Sequence, residues 1–201
     1  MSQAKVLDER DMRKVLLYCT AHKHAARNKA MLLMTHLSGM RVGEVAALRI
    51  VDVLHADGSV KSEVRLSAAQ TKGSHARTVL IPKRLQVVIN DYVKHYIGDE
   101  LKRASLLETK FAAYALFPTQ QNRQRGFTAN TLCQLFHHLY KSAGVVGASS
   151  HSGRRSYITG LADKGVGVRV LMELAGHRSA AVTMRYIDAS PSVLRAAVEL
   201  V

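Results

Sequence analysis

The hydrophobic period of this chain changes twice, and that change limits what it can fold into. From Asp8 to about Thr20 apolar residues recur at helical spacing, with Met12, Val15, Leu16 and Cys19 on one face and Asp8 at the N-cap. A second helix is predicted over Ala25 to Leu37 and a short third over Val42 to Leu48, with "SGMR" as the break between them. The period then shortens to two. "LRIVDVLH", "SVKSEVRLS" and "ARTVLIP" are β-rich segments separated by "ADG" and "QTKGSH", which carry the turn signals Asp57-Gly58 and Lys72-Gly73. After Pro82 the helical period returns. It runs over Lys83 to Tyr96, less regularly over Leu101 to Ala115, and from an N-cap at Thr128 to Ser142; shorter helices follow at about 152–164, 167–174, 179–187 and 191–200. The expectation is a mainly α fold with a small three-stranded antiparallel β-sheet, forming a single domain over residues 1–201.

Charge narrows the partner. Lys and Arg number 29 against 15 Asp and Glu, a net charge of +14. A field of that sign attracts polyanions, so nucleic acid leads and an anionic membrane surface comes second. No long basic amphipathic helix of the kind that lies on lipid is present, and no apolar run reaches the roughly 18 residues a bilayer span needs. The start, "MSQAKVLDERDMRKVL", lacks the apolar core of a signal peptide. Cys19 and Cys133 sit in separate helical patterns, which suits two buried reduced thiols in a reducing cytoplasm rather than a disulfide scaffold.

Six places in the chain carry chemistry. Arg41 stands at a helix start with Glu44 three residues on; free N–H groups and a guanidinium together suit an anion, and an ordinary surface arginine paired with Glu44 reads the same way. Lys72 lies at a predicted hairpin tip, where an ammonium either contacts a phosphate, donates a proton or simply faces water. His151 and Arg154 share a face at another helix start. His177 follows Gly176 at a helix end, and Tyr186 comes nine residues later. Read alone, Tyr186 fits a half-buried packing residue as well as a reactive one. A metal shared by His151 and His177 lacks a carboxylate or cysteine at ligand spacing, so no metal and no cofactor are expected. Taken together, two arginines, a lysine, two histidines and a tyrosine suit a five-coordinate phosphate whose charge lies on non-bridging oxygens. Tyr186 is then the evident nucleophile. A free phenol titrates near ~10, so a base and nearby cations must assist it.

This ordered set resembles the catalytic domain of the tyrosine recombinases, the phage-integrase family. The family pattern is an Arg in a G-x-R-x-x-E context, a hairpin Lys, H-x-x-R, G-H, and a Tyr nine residues beyond that His; "SGMRVGE", "TKG", "HSGR", "LAGH" and Tyr186 supply these in order, over about residues 8 to 190. The resemblance implies site-specific DNA recombination through a 3′-phosphotyrosine. Tyr186 would be the nucleophile, Lys72 the general acid for the 5′-oxygen, and Arg41 and Arg154 the phosphate holders. His151 would handle the tyrosine proton, His177 would bond a non-bridging oxygen, and Glu44 would orient Arg41. It also implies double-stranded DNA as partner, a tetramer on that DNA with the C-terminal helix exchanged between protomers, no membrane, and a bacterial or phage-encoded protein of the nucleoid.

Three departures stand beside the match. Gly153 and Arg155 replace the Leu and His usual around the second arginine, which implies a lost packing contact and an added cation. "Tyr186-Ile187-Asp188" lacks the His that often follows the tyrosine by two. About seven residues precede the first predicted helix, so no N-terminal core-binding domain is expected; a fragment of a longer integrase and a naturally short member both fit. Two other functions share the pattern: a type IB topoisomerase-like relaxing enzyme, and a DNA-binding regulator that has lost catalysis.

Overall fold

Asp8 opens the first helix as its place in the sequence predicts. Its Oδ1 accepts the Asp11 amide at 2.7 Å while Asp11 Oδ2 accepts the Asp8 amide at 3.4 Å, a reciprocal cap for α1 (Glu9–Thr20). The computed structural model describes residues 3–71, 73–97, 114–119, 122, 125–187, 194, 195, 198 and 199. α1 buries Met12, Val15 and Cys19. Burial pushes the Cys19 thiol up to about 11 against a smaller opposing pull from Lys29, so it stays an unreactive core thiol; Cys133 is half-buried.

α2 (Ala25–Ser38) runs through the middle, burying Ala30, Met31, Leu32, Leu33 and Met34 together with polar Asn28, Thr35 and Ser38. Its main neighbours are α5 (Lys83–Ile97) and α7 (Ser152–Ala162). Gly39 ends it with φ +64°, and a Cβ at that position would overlap the Tyr157 ring, so the turn and the packing both demand glycine. α3 (Val42–Ala46) and α4 (Ile50–Val53) follow, then β1 (Glu63–Leu66) and β2 (Arg77–Leu80). α6 (Ala129–Ser142) starts from the Thr128 cap, where Thr131 N donates to Thr128 Oγ1 at 3.1 Å and Thr128 N to Thr131 Oγ1 at 3.0 Å. α8 (Val168–Ala175) and α9 (Ala180–Met184) complete the described elements.

The sheet departs from expectation. Among the described residues it has two strands, not three, paired antiparallel with Val64 opposite Val79 and Leu66 opposite Arg77. Segment 48–55, predicted as the third strand, instead supplies α4 and two isolated bridges, Arg49 to Ala115 and Leu54 to Val60. The reason is Asp52. Its carboxylate accepts the Arg49 amide at 2.8 Å and closes a helical turn, while Gln70 Nε2 donates to the same oxygen at 2.7 Å. The buried pair Ile50 and Val53, three apart, then has helical spacing inside a β-rich composition. Of the predicted helix Leu101 to Ala115, residues 101–113 lie outside the described residues, as does most of 191–200, and Ala115 is in a bridge rather than a helix. Among those residues no helix is long and apolar enough to cross a membrane.

Gly153 was expected to weaken packing around Arg154, and the structure reverses this. A Cβ at 153 would overlap Thr35 Oγ1 and stand 3.1 Å from Thr35 Cβ. The missing side chain is what lets α7 close on α2 at the turn that buries Arg154.

Candidate active site

The site forms where α8 stops. The last carbonyls of a helix have no partner inside it, and its carboxyl end carries partial negative charge. Three arginines from three other elements answer that need on three successive residues. Arg77 Nη1, from β2, donates to Leu174 O at 3.2 Å. Arg154 Nη2, from α7, donates to Ala175 O at 2.6 Å. Arg41 Nη2, from the N-cap of α3, donates to Gly176 O at 3.4 Å. Gly176 takes φ +62°, and a Cβ there would lie 2.6 Å from Arg77 Cδ. The glycine therefore turns the chain and clears room for an arginine with one missing atom.

Glu44 locks two of these cations together. Its Oε1 accepts from Arg41 Nη1 at 3.0 Å and Arg77 Nε at 3.1 Å; its Oε2 accepts from Arg77 Nη2 and from the Arg41 amide, each at 2.7 Å. Arg77 thus grips the carboxylate with two donors. Burial pushes Glu44 upward, but the hydrogen bond and charge of Arg77, followed by those of Arg41, outweigh it and hold the carboxyl below its ordinary value. It is ionised at neutral pH.

Arg154 is only 3% exposed and also donates through Nη1 to Gly39 O. Burial, then the Arg41 and Arg77 charges, pull it down to about 10, which leaves it cationic at neutral pH. Its Nη2 lies 2.8 Å from His177 Nε2. Arginine only donates, so that nitrogen is the acceptor and the ring hydrogen sits on Nδ1, facing Thr183 Oγ1 at 2.9 Å. Burial first, then Arg154, Arg41 and Arg77, push His177 down to about 4, which agrees with a neutral ring.

Tyr186 lies half-buried two residues past α9. Its ring stacks on His177 with centroids 5.4 Å apart and planes 28° off parallel. Its main chain is tied at both ends: the amide donates to Thr183 O at 2.9 Å, and the carbonyl accepts from Thr159 Oγ1 at 2.7 Å. The structure therefore brings Arg41, Glu44, Arg154, His177 and Tyr186 together. His151 is exposed at the N-cap of α7, one turn before Arg154. Lys72 lies outside the described residues. Its neighbours close the hairpin tip, where Thr71 Oγ1 donates to His75 O at 2.6 Å, and His75 Nε2 accepts from Arg178 Nη1 at 2.9 Å. That last bond joins the tip to the residue immediately after His177.

Sequence reasoning missed Arg77 and Thr183. Arg77 shares a strand face with buried Val79, and an arginine at an inward position was the available signal. Thr183 had none beyond its place between His177 and Tyr186. Among the described residues no three of His, Cys, Asp or Glu come together. Guanidinium forks beside a histidine and a phenol are suited to binding a tetrahedral oxyanion and presenting a nucleophile to it.

Comparison with known proteins gives a family and a fold. A family model described as "Phage integrase family" matches residues 5–192. The chain is 24% identical over 195 residues to tyrosine recombinase XerA of Pyrococcus furiosus, across 97% of this chain and 61% of that protein. In fold it is similar to a crystal structure of XerA recombinase, with TM-score 0.74, 22% identity, and coverage of 100% of this chain and 64% of the other. XerH site-specific recombinase, bound to palindromic difH substrate in a post-cleavage complex, gives TM-score 0.70 at 22% identity over 98% of this chain and 53% of the other. The chain spans less than two thirds of the length of each of these.

Proposed function

The chain belongs to the phage integrase family, and from that premise we propose that it is the catalytic domain of a site-specific DNA recombinase. Tyr186 Oη attacks a DNA phosphate, forming a 3′-phosphotyrosine as the bond to the 5′-oxygen breaks. His151 takes the phenol proton and Lys72 returns one to the departing 5′-oxygen. Arg41 and Arg154 hold the non-bridging oxygens and His177 bonds one of them, while Glu44 keeps Arg41 in place. The energy of the broken ester is kept in the phosphotyrosine, so rejoining needs neither metal nor nucleotide.

The observation that carries this reading is the stacking of Tyr186 on His177, beside arginines held at the carboxyl end of α8. Double-stranded DNA is the partner, attracted through the +14 charge with marked salt sensitivity. Four protomers assemble on it and exchange C-terminal helices. Two features support the exchange: Leu194 and Val198 are 57% and 71% exposed, and an open groove between α1, α2 and α7 has Leu16, Leu33, Leu37 and Leu161 along it beside charged groups such as Arg13 and Lys29.

The test uses a pool of nicked random-sequence duplexes, from which covalent protein–DNA adducts are captured and sequenced. Wild type should yield adducts of shared sequence and Tyr186→Phe none. Absence of wild-type adducts, or adducts that persist in Tyr186→Phe, sinks the reading.

A further inference from the structure

His177 is gripped at both ring nitrogens, and only one grip has a role so far. Arg154 fills Nε2, so the ring hydrogen on Nδ1 is donated to the Thr183 hydroxyl. Thr183 is fully buried, whereas Ala180, Ala181, Val182 and Met184 around it in α9 are exposed. The short helix is thus anchored through this one side chain. The same residue reaches the other reactive group through its main chain, where its carbonyl accepts the Tyr186 amide at 2.9 Å.

We propose that Thr183 is a positioning residue of the reaction: by accepting Nδ1–H, its hydroxyl fixes the plane of the His177 imidazole and presents Nε2 to the anion bound by Arg41 and Arg154. The proposal rests on reading the chain as a recombinase. Without an anion, Nε2 is occupied by Arg154. An arriving phosphate oxygen draws Arg154 Nη2 onto itself and frees Nε2. A buffer acid then gives Nε2 a proton, leaving its conjugate base in solution, and the new N–H donates to the phosphate oxygen. Nδ1–H stays on Thr183 throughout, so the ring does not turn.

The charged and titratable groups that face this ring are Arg154 from α7, Arg41 from the N-cap of α3, Arg77 from β2, and Tyr186 beyond α9, with Glu44 behind the arginines. Burial first, and then the three cations, keep the unoccupied ring neutral, and the phosphate supplies the negative charge that lets it become cationic. A wrong ring orientation would leave Arg41 and Arg154 able to bind DNA and remove the donor that strengthens in the transition state.

Two variants separate positioning from packing. Thr183→Val keeps the shape and loses the acceptor; Thr183→Ser keeps the acceptor. DNA-free protein, isotopically labelled at the histidine ring nitrogens, is observed by long-range proton–nitrogen correlation at neutral pH, with His177→Gln assigning the signal. Wild type and Thr183→Ser should show a bare Nε2 and a hydrogen-bonded Nδ1–H that exchanges slowly with water, and Thr183→Val should show an Nδ1–H that has lost this protection. On the captured random-duplex pool, Thr183→Val should cleave ~10–100-fold more slowly with unchanged DNA affinity, a smaller loss than the ~10⁴-fold seen where a buried carboxylate orients a catalytic histidine. Thr183→Ser should restore most of the rate. A wild-type ring protonated at Nε2, or a Thr183→Val protein with wild-type ring signals and rate, overturns the proposal. If wild type captures no DNA the recombinase reading fails, and the ring nitrogens of Thr183→Val alone then decide whether Thr183 holds the imidazole.

Discussion

Glu44 and Arg154 are 1% and 3% exposed, while Val182 and Met184, across a short turn, are 38% and 53% exposed. The first pair belongs to a buried lattice in which β2, α3, α7 and the end of α8 are cross-tied by arginine hydrogen bonds spanning most of the chain. The second pair precedes a tyrosine held by two threonines and one stacked ring. The anion-binding half is therefore built in advance, and the half that carries the phenol is attached lightly to it. Elements that move are drawn from such weakly buried parts of a fold.

The sharpest way to break this contrast is to remove the charge at the centre of the lattice. Glu44→Gln leaves the half-buried Arg41 and Arg77 guanidinium groups without their counter-ion, and losing charge-assisted hydrogen bonds of this kind costs about 1.5–3 kcal/mol. Urea unfolding should show that loss, while Met184→Ala, on the exposed arm, stays within ~0.5 kcal/mol. Equal effects from the two would mean that the halves are not held differently. Next in size is Gly153→Ala, which forces a Cβ against Thr35 and should cost ~1–3 kcal/mol. Part of the cost should vanish in a Thr35→Ala background, and additive losses in the double variant would show that the contact is not the cause.

The smallest effect concerns pH. Unfolded His177 titrates at its ordinary 6.5 and folded His177 at about 4, so between those values the unfolded chain binds more protons. Stability therefore rises with pH across that window and is lost on acidification through it. Discounted for the ring's partial exposure, the effect is about 1 kcal/mol, or ~2–4 °C in Tm for a chain of this size. His36 is also pushed down, by burial and then Arg84, and adds a slope of the same sign. Calorimetry should find His177→Gln less acid-sensitive than wild type by that amount; identical acid slopes would place the cation cluster's influence elsewhere.

What was legible in the chain depended on how far apart partners lie. Asp8 and Thr128 declared their caps because the amides they serve are three residues away. Segment 48–55 misled because its Ile and Val content favours a strand, and the Asp52 carboxylate that closes its helical turn is held from Gln70, 18 residues away. Arg41, Glu44, Arg154, His177 and Tyr186 were visible as residue types at telling intervals. How they are held was not. The carbonyls of residues 174 to 176 that receive the arginines lie 97, 21 and 135 residues from their donors, and a backbone carbonyl is the same whatever side chain it carries. Arg77 hid for the complementary reason, since a strand arginine ordinarily faces water. Gly153 read as a loss because its counterpart, Thr35, sits more than a hundred residues earlier and carries no local mark of the fit.

The three carbonyls at the end of α8 have one more consequence. A carboxylate that grips an arginine also cancels its charge, whereas a carbonyl grips it by direction alone. Among the groups described here Glu44 is the one acidic ligand, so three guanidinium charges stand against a single negative one. Arg41 keeps Glu44 as its partner, whereas an anion arriving at Arg154 meets carbonyls and a neutral imidazole there rather than a carboxylate. At Arg154 it competes with neutral dipoles, which hold the fork in place without cancelling its charge.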